Sequence, residues 1–225
     1  MTMHDITEDD FDRVFPEFVR QRSGQFWTPV EVATRAAAFL APSPSARVLD
    51  VGSGAGKFCI AGALATGASF SGIEQRAPLV AIANMAARRL GAERTEFAAG
   101  TIEDVDWSLY DGFYFFNPFE ENIFREQGCF DTSVVLSEER FWRDIAFIEK
   151  VLALVPIGTR VATFHGFGGT IPASYELVDQ EPHRGGVLRF WIKGSVDRSK
   201  EAGFHEALMP LPELAFERFS VEETG

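Results

Sequence analysis

The segment "VLDVGSGAGKF", residues 48–58, decides which class of fold this chain adopts. A short apolar run ends at Asp50, and glycines follow at positions 52, 54 and 56 before a helical pattern begins. Glycine permits positive φ and lets a ligand approach the backbone closely. A helix that starts there presents free N–H groups and the positive end of its dipole. The segment therefore predicts a strand, a ligand-binding turn and a helix.

The same alternation continues along the chain. Short β-branched or aromatic runs predict strands over 46–52, 68–74, 95–100, 112–118 and 160–167. Helical patterns between them predict helices over Lys57–Leu64, Pro78–Leu90 and Glu138–Leu154. Alternating strands and helices are typical of a doubly wound α/β fold with a mainly parallel sheet. Two further strands, 175–182 and 186–194, have no helix between them and predict an antiparallel closing hairpin.

The chain divides into three predicted regions. Residues 1–44 form an N-terminal helical cap with helices over Glu8–Arg20 and Val30–Leu40. Residues 45–195 form the α/β core, and residues 196–225 form an extension without a clear period, to which no role is assigned. A length of 225 residues suits a core of this size.

The composition indicates which partners and which cellular compartment to expect for this protein. The 33 acidic and 21 basic residues give a formal charge of −12, which disfavours a nucleic-acid partner because no basic cluster offsets it. Cys59 and Cys129 fit neither a disulfide framework nor a metal-ligand spacing. The N-terminus does not resemble a secretory signal, and no apolar run is long enough to span a membrane. We expect a cytoplasmic protein without membrane contact.

Three ligands compete for the glycine-rich turn. A phosphate-binding P-loop would need glycine at Val51 and a hydroxyl at Phe58, so it fails at both positions. A dinucleotide fingerprint that starts at Gly52 would need glycine at Lys57, although one that starts at Gly54 stays open. The third candidate ligand is S-adenosylmethionine.

The spacing Asp-x-Gly-x-Gly-x-Gly from Asp50 to Gly56 resembles motif I of the class I S-adenosylmethionine-dependent methyltransferases. In that family the loop wraps the methionine part of the cofactor, and a carboxylate at the end of the second strand holds the ribose hydroxyls. "FSGIEQ" places Glu74 there, and a carboxylate suits two vicinal hydroxyl donors. The resemblance covers about residues 25–194 and implies a Rossmann-like, seven-stranded sheet whose last strand is antiparallel. It implies cofactor contacts from Thr28, Asp50, Gly52, Ser53, Gly54, Gly56, Glu74, Gln75, Thr101 and Ile102. A tight turn without a ligand is the alternative.

The third predicted strand ends in "AAGTIEDVDW", residues 98–107. Family members often carry an acidic residue near the adenine at this point. The resemblance implies that Ile102 flanks the adenine ring and that Glu103 or Asp104 accepts from its amino group. A solvated acidic loop is the alternative.

The fourth predicted strand ends in "NPF", which is Asn117, Pro118 and Phe119. This stretch resembles the Asp/Asn-Pro-Pro-Tyr/Phe motif of methyltransferases that act on amino or amide nitrogens. There the side-chain oxygen and the next backbone carbonyl accept the hydrogens of an –NH₂ group, and the ring stacks on the target. The resemblance implies catalytic roles for all three residues. This chain has one proline where the motif has two, so a plain turn after the strand is the alternative.

Several residues outside these motifs have two interpretations each. The segment "GQFWTP", residues 24–29, resembles the F-x-T-P segment that closes over the cofactor in adenine amino-methyltransferases, but Thr28 could also simply open a helix. His165 lies at the end of the fifth predicted strand, as a general base or as a structural residue. Glu120 and Glu121 would bind a cationic substrate or lie in a solvated loop.

The sequence predicts a methyltransferase that uses S-adenosylmethionine by direct displacement, without a metal or a covalent enzyme intermediate. The expected acceptor is a nitrogen of a protein side chain or small molecule, and adenine in nucleic acid is the second choice. A non-catalytic S-adenosylmethionine-binding module and a nicotinamide-dependent dehydrogenase are the alternatives from other classes. The oligomeric state is not predicted.

Overall fold

The computed structural model describes residues 7–123 and 130–195. Within these ranges the strands are β1 (Arg47–Val51), β2 (Ser69–Glu74), β3 (Thr95–Ala99), β4 (Gly112–Phe115), β5 (Arg160–Phe164), β6 (Tyr175–His183) and β7 (Gly186–Lys193). The helices are α1 (Glu8–Asp12), α2 (Glu17–Arg20), α3 (Ser23–Phe26), α4 (Val30–Leu40), α5 (Lys57–Thr66), α6 (Ala77–Leu90) and α7 (Glu138–Leu154).

All seven strands belong to one sheet in the order β3-β2-β1-β4-β5-β7-β6. Strands β1 to β5 pair in parallel, whereas β7 is antiparallel to both β5 and β6. The chain moves outward from β1 to β3 and then returns to β4 beside β1, so the topological switch point lies between β1 and β4. The predicted doubly wound, seven-stranded sheet with an antiparallel closing hairpin is confirmed.

The two faces of the sheet are covered by different helices. In strand β4, Tyr114 points to one face of the sheet, while Phe113 and Phe115 point to the other. Tyr114 packs with buried residues of α4, α5 and α6, and its ring stacks on Phe58 at 3.8 Å between centroids. The opposite face is covered by the apolar side of α7, where Ile148 is fully buried. The sheet is therefore a buried middle layer.

Some element boundaries differ from the prediction for local reasons. The expected helix over Glu8–Arg20 is two short helices, since Pro16 lacks an N–H group and its ring disfavours helical backbone in the preceding residue. Strand β4 ends at Phe115 rather than 118, because Asn117 has a left-handed backbone with φ 31°. Helix α3 was not predicted at all. The extension 196–225 and Cys129 lie outside the described residues.

None of the helices in the described ranges has the length and apolar character that crossing a membrane requires.

A buried lysine ties the N-terminal helices to the glycine-rich turn. Lys57 is the first residue of α5 and is 2% exposed. Its Nζ contacts the Glu8 carboxylate, lies 2.6 Å from Oδ1 of Asp12, and donates to Oγ of Ser23 at 3.0 Å. A buried ammonium requires such partners, because burial without them costs several kcal/mol. Helices α1 and α3 are therefore held against the start of α5.

We expect the substitution Lys57→Met to destabilise the protein by about 3 kcal/mol, because it removes the cation that compensates Asp12. Denaturant unfolding of both proteins measures the difference. Lys150→Met, at an exposed position of α7, is the matched control and should change stability little. Equal losses in the two variants would contradict a structural role for the buried pair.

Candidate functional site

A cavity of about 430 Å³ lies at the carboxyl edge of the parallel strands. Residues at or just after the ends of β1, β2, β3 and β4 line it, among them Val51, Glu74, Gly100 and Asn117. Open α/β sheets bind ligands at this edge, at the topological switch point. Its volume is in the range of pockets that take a cofactor-sized molecule.

The glycine-rich turn forms one wall, and its backbone has no room for side chains. Gly54 has φ +53°, and a Cβ built on it would lie 2.5 Å from Nε1 of Trp27. Gly52 has φ +75°, and a Cβ there would lie 2.9 Å from Cβ of Pro118. Both positions therefore require glycine for conformation and for space. The turn from β1 is in this way packed directly against the segment that follows β4.

Glu74 ends β2 and lines the cavity, although it is only 6% exposed. Its Oε2 accepts from the Gly54 N–H at 3.1 Å, and its Oε1 accepts from the Arg76 N–H at 2.8 Å. Burial raises the pKa of this carboxyl group, and the two N–H donors and the Arg76 charge oppose that rise. Each oxygen keeps capacity for a further donor, which a pair of ligand hydroxyls could supply.

Arg76 connects this carboxylate to the segment beyond β4. The guanidinium is 5% exposed and lies 2.5 Å from Glu121 and 3.0 Å from Asp131. It is also 3.9 Å from Glu74. A planar fork of five donors suits several carboxylates at once. Arg76 therefore neutralises part of the acidic wall.

Aromatic rings from two distant segments form the apolar wall. The ring of Phe130 meets Phe26 and Trp27 edge to face, each with centroids 5.9 Å apart. The Arg76 guanidinium lies 5.7 Å from the Phe130 centroid. Phe119, after β4, is 6% exposed and also lines the cavity. The cavity is thus lined by aromatic rings as well as by acidic groups.

Asn117 is held at the sheet edge by three bonds. Its backbone N–H donates to the Gly166 carbonyl at 2.8 Å, and its carbonyl accepts from the Glu120 N–H at 3.3 Å. Its side-chain Nδ2 donates to the Glu120 carboxylate. Among the described residues, no donor bonds to Oδ1 of Asn117 or to the carbonyl oxygen of Pro118. Within the described ranges, two residues that line the cavity therefore each carry an acceptor oxygen without a donor.

Comparisons with known proteins agree with this arrangement. Residues 42–153 match the family model described as "Methyltransferase domain". These residues are a methyltransferase domain. The chain is accordingly an S-adenosylmethionine-dependent methyltransferase with the class I fold.

Solved structures share the fold at low sequence identity. An RNA methyltransferase from Salinibacter ruber in complex with S-adenosyl-L-homocysteine is 20% identical, with a TM-score of 0.56. The match covers 75% of this chain and 94% of that one. A mutant of MtNAS in complex with S-adenosylmethionine is 12% identical, with a TM-score of 0.52, over 83% of this chain and 71% of that one. The chain has no match among curated protein sequences.

Nine of the thirteen residues to which sequence reasoning gave a cofactor-binding or catalytic role line the cavity of the methyltransferase. They are Gly52, Gly54, Glu74, Gln75, Thr101, Ile102, Asn117, Pro118 and Phe119. Their roles toward a cofactor or an acceptor stay predictions at this stage. What the structure shows is that these nine residues line the same cavity.

The other four residues, Thr28, Asp50, Ser53 and Gly56, do not line the cavity. The Thr28 hydroxyl shares a hydrogen bond of 2.9 Å with that of Tyr114. Asp50 is buried under the turn, where burial raises its pKa to about 8 and Cys59 Sγ donates to it at 3.7 Å. Both side chains are buried and bonded to other residues of the protein, and a cofactor contact from either stays a prediction.

Two further expectations are corrected by contacts. The Asp104 carboxylate accepts from the N–H and hydroxyl of Thr101, and neither Glu103 nor Asp104 lines the cavity. The ring of His165 stacks on Phe116 with centroids 5.5 Å apart, outside the cavity lining. These positions therefore favour the structural interpretations of the acidic loop and the histidine.

The lining residues of the methyltransferase to which sequence reasoning gave no role include Trp27, Arg76, Phe130, Arg140 and Asp144. Asp144 carried one detectable signal, because it lies on the buried face of α7 between Phe141 and Ile145. A buried acid must have partners, and Arg140 and Arg143 supply them at 3.3 and 3.0 Å. The other four depend on tertiary contacts that no local pattern encodes.

We expect Gly54→Ala to abolish cofactor binding, because the new Cβ would collide with Trp27 and positive φ disfavours alanine. Calorimetric titration with S-adenosylhomocysteine measures the effect, with a loss of at least about a hundredfold, near 3 kcal/mol. Gly67→Ala is the control, since Gly67 also has positive φ but open space around its Cβ. Unchanged affinity in Gly54→Ala would contradict the assignment of this turn to the ligand.

Proposed function

We propose that the enzyme transfers the methyl group of S-adenosylmethionine to an amino or amide nitrogen of a protein side chain or small molecule. The observation that carries this proposal is that Asn117 and Pro118 line the cavity, and that no described residue donates to Oδ1 of Asn117 or to the Pro118 carbonyl. An –NH₂ group offers two N–H donors, which match two acceptors. A hydroxyl or thiol nucleophile would offer one.

The residues around the glycine-rich turn fit the cofactor. Glu74 would hold the ribose hydroxyls with the remaining lone pairs of a carboxylate that is already fixed by two N–H donors. The glycines at 52 and 54 keep the wall open to a closely approaching ligand. Ile102, 6% exposed, would pack on the adenine, and its carbonyl accepts from Nε1 of Trp107 at 3.1 Å. Bound there, S-adenosylmethionine would supply an electrophilic methyl group.

At the other end of the cavity, the motif after β4 would orient the acceptor. Two hydrogen bonds from an –NH₂ group would fix its plane and thereby direct its lone pair, which is catalysis by positioning. Phe119 would contact a planar or cationic group with its ring. In the one-proline motif no described residue donates to the Pro118 carbonyl, which supports its use as the second acceptor.

Charge favours a neutral or cationic acceptor over a phosphate-bearing one. The carboxylates of Glu74, Glu120, Glu121 and Asp144 line the cavity against two guanidinium groups. Both guanidinium groups are paired, Arg76 with Glu121 and Arg140 with Asp144. With a formal charge of −12 for the chain, neither cavity nor whole surface attracts phosphates.

Nucleic-acid adenine is the second candidate, because the Asn-Pro-Phe and F-x-T-P segments resemble those of adenine amino-methyltransferases. A non-catalytic S-adenosylmethionine-binding module is the candidate from another class. One experiment separates all three.

Purified enzyme, methyl-labelled S-adenosylmethionine and a host lysate are incubated, and the protein, nucleic-acid and small-molecule fractions are counted separately. We expect label in the protein or small-molecule fraction, and at least about a hundredfold less with Asn117→Ala. S-adenosylhomocysteine affinity should be nearly the same in Asn117→Ala, which is a positioning residue for the acceptor. Asn84→Ala, on the outer helix α6, is the control.

Label that nuclease treatment removes would rank nucleic acid ahead of a protein or a small molecule as the acceptor. No label in any fraction, with S-adenosylhomocysteine bound, would favour the non-catalytic module. Undiminished transfer by Asn117→Ala would remove this residue from the mechanism.

A further inference from the structure

Asn117 would need its amide in one of two orientations to accept a hydrogen bond from the substrate. The planar amide can present either Oδ1 or Nδ2 to a given side, and rotation of the terminal torsion exchanges them. With Nδ2 toward the acceptor, an N–H group of the substrate would meet another donor. Orientation therefore decides whether the predicted contact exists.

The structure supplies the group that selects the orientation. Nδ2 of Asn117 donates to Oε2 of Glu120, and Glu120 also lines the cavity. An ionised carboxylate only accepts hydrogen bonds, so the amide atom that faces it must be the nitrogen. Oδ1 must then point away from Glu120.

The backbone removes the remaining freedom. The Glu120 N–H donates to the Asn117 carbonyl at 3.3 Å, which closes the turn and holds the two side chains together. The Asn117 N–H is bound to the Gly166 carbonyl at 2.8 Å, and φ of 31° is a restricted left-handed conformation. The main chain of Asn117 is thus fixed on both sides. The hydrogen bond to Glu120 then sets the terminal torsion of the Asn117 side chain.

We propose that Glu120 is a positioning residue that locks the Asn117 amide with Oδ1 available to the nitrogen acceptor. This inference rests on the proposed function, in which Asn117 contacts the acceptor. Glu120 acts through Asn117 and is assigned no contact with substrate.

The two adjacent glutamates, Glu120 and Glu121, have different partners among the described residues. Glu121 lies 2.5 Å from Arg76, so its carboxylate is occupied by a guanidinium. Among the described residues, no lysine or arginine lies within ion-pair distance of Glu120. A charge-assisted hydrogen bond from a neutral amide is shorter and stronger than a neutral one. In the part of the chain that the structure describes, the side-chain partner of the Glu120 carboxylate is therefore Asn117.

A set of four variants tests the pair by exchanging donor and acceptor. Glu120→Gln keeps the size of the side chain but can donate as well as accept, so it no longer selects one amide orientation. Asn117→Asp removes the donor and sets two carboxylates against each other. The double variant Asn117→Asp/Glu120→Gln restores a donor–acceptor pair in reverse and again leaves one oxygen for the substrate. Glu93→Gln, an exposed position away from the cavity, is the matched control.

The expected result of the label-transfer assay is a rescue. Glu120→Gln should lower transfer about tenfold, and Asn117→Asp should lower it by at least about a hundredfold. The double variant should exceed Asn117→Asp by at least about tenfold, while S-adenosylhomocysteine affinity stays the same throughout. Because the double variant also relieves the repulsion between two carboxylates, the orientation of the Asn117 amide is judged from Glu120→Gln, in which no like charges meet. A double variant no better than Asn117→Asp would overturn the proposal.

A second measurement needs no acceptor. In ¹⁵N-labelled protein, the Asn117 side-chain amide pair is the one that disappears in Asn117→Asp. We expect this pair to shift in Glu120→Gln and Glu120→Ala but not in Glu93→Gln. An unmoved pair would overturn the Glu120 inference, whether or not an acceptor has been found.

The two proposals fail in different ways. If Asn117→Ala transfers label at the wild-type rate, the proposed function is wrong. If Asn117→Ala is inactive and the exchange of donor and acceptor gives no rescue, only the Glu120 inference is wrong.

Discussion

The hydrogen bonds that hold the Glu74 carboxylate are the interaction on which the rest of the site depends. One oxygen accepts from the N–H of Gly54 in the glycine-rich turn, and the other accepts from the N–H of Arg76 after β2. The same arginine then reaches Glu121 and Asp131 beyond β4. A buried carboxylate needs such partners, because an unpaired charge would be costly at 6% exposure. The turn, the ribose-binding candidate and the acceptor wall are therefore parts of one network.

The cavity has two ends with different chemistry. At the glycine-rich turn, the groups are backbone and one fixed carboxylate, which suit the hydroxyl-bearing part of a cofactor. At the end of β4, two carbonyl-type oxygens have no donor among the described residues. The contact between Gly52 and Pro118 brings these ends together, since a side chain on Gly52 would collide with the proline ring. Close approach of the two strand ends brings the residues proposed for the cofactor and those proposed for the acceptor into one cavity.

Sequence patterns were sufficient for the sheet and for the turn. Strand and helix alternation, together with the hairpin after residue 175, predicted a mainly parallel sheet with an antiparallel end, because periodicity reflects which faces are buried. The resemblance to class I methyltransferases implied its seven strands. Glu74 and Asn117 were singled out because each was predicted at the end of a strand, at the edge where ligands bind. Thr28 and Asp50 were assigned to the cofactor by resemblance, and their side chains are buried and bonded to other residues of the protein. A pattern in the chain gives a residue's position along a strand or turn, and side-chain direction there depends on packing.

Sequence reasoning missed other lining residues for a different reason. Phe130 and Trp27 are about a hundred positions apart and meet only through the tertiary fold. Arg76 follows Glu74 by two residues, but its partners Glu121 and Asp131 lie on another segment. The break of the first predicted helix at Pro16, in contrast, was readable from the residue itself. Local chemistry is visible in sequence, whereas long-range pairs are not.

The most direct test of the central claim is calorimetric titration of S-adenosylhomocysteine into the wild-type enzyme and into Glu74→Gln. The account predicts one binding site per chain, and affinity at least about tenfold lower in Glu74→Gln because an amide must present a donor where the carboxylate accepts. Wild-type protein that binds a nicotinamide cofactor and not S-adenosylhomocysteine, or equal affinity in both proteins, would contradict it.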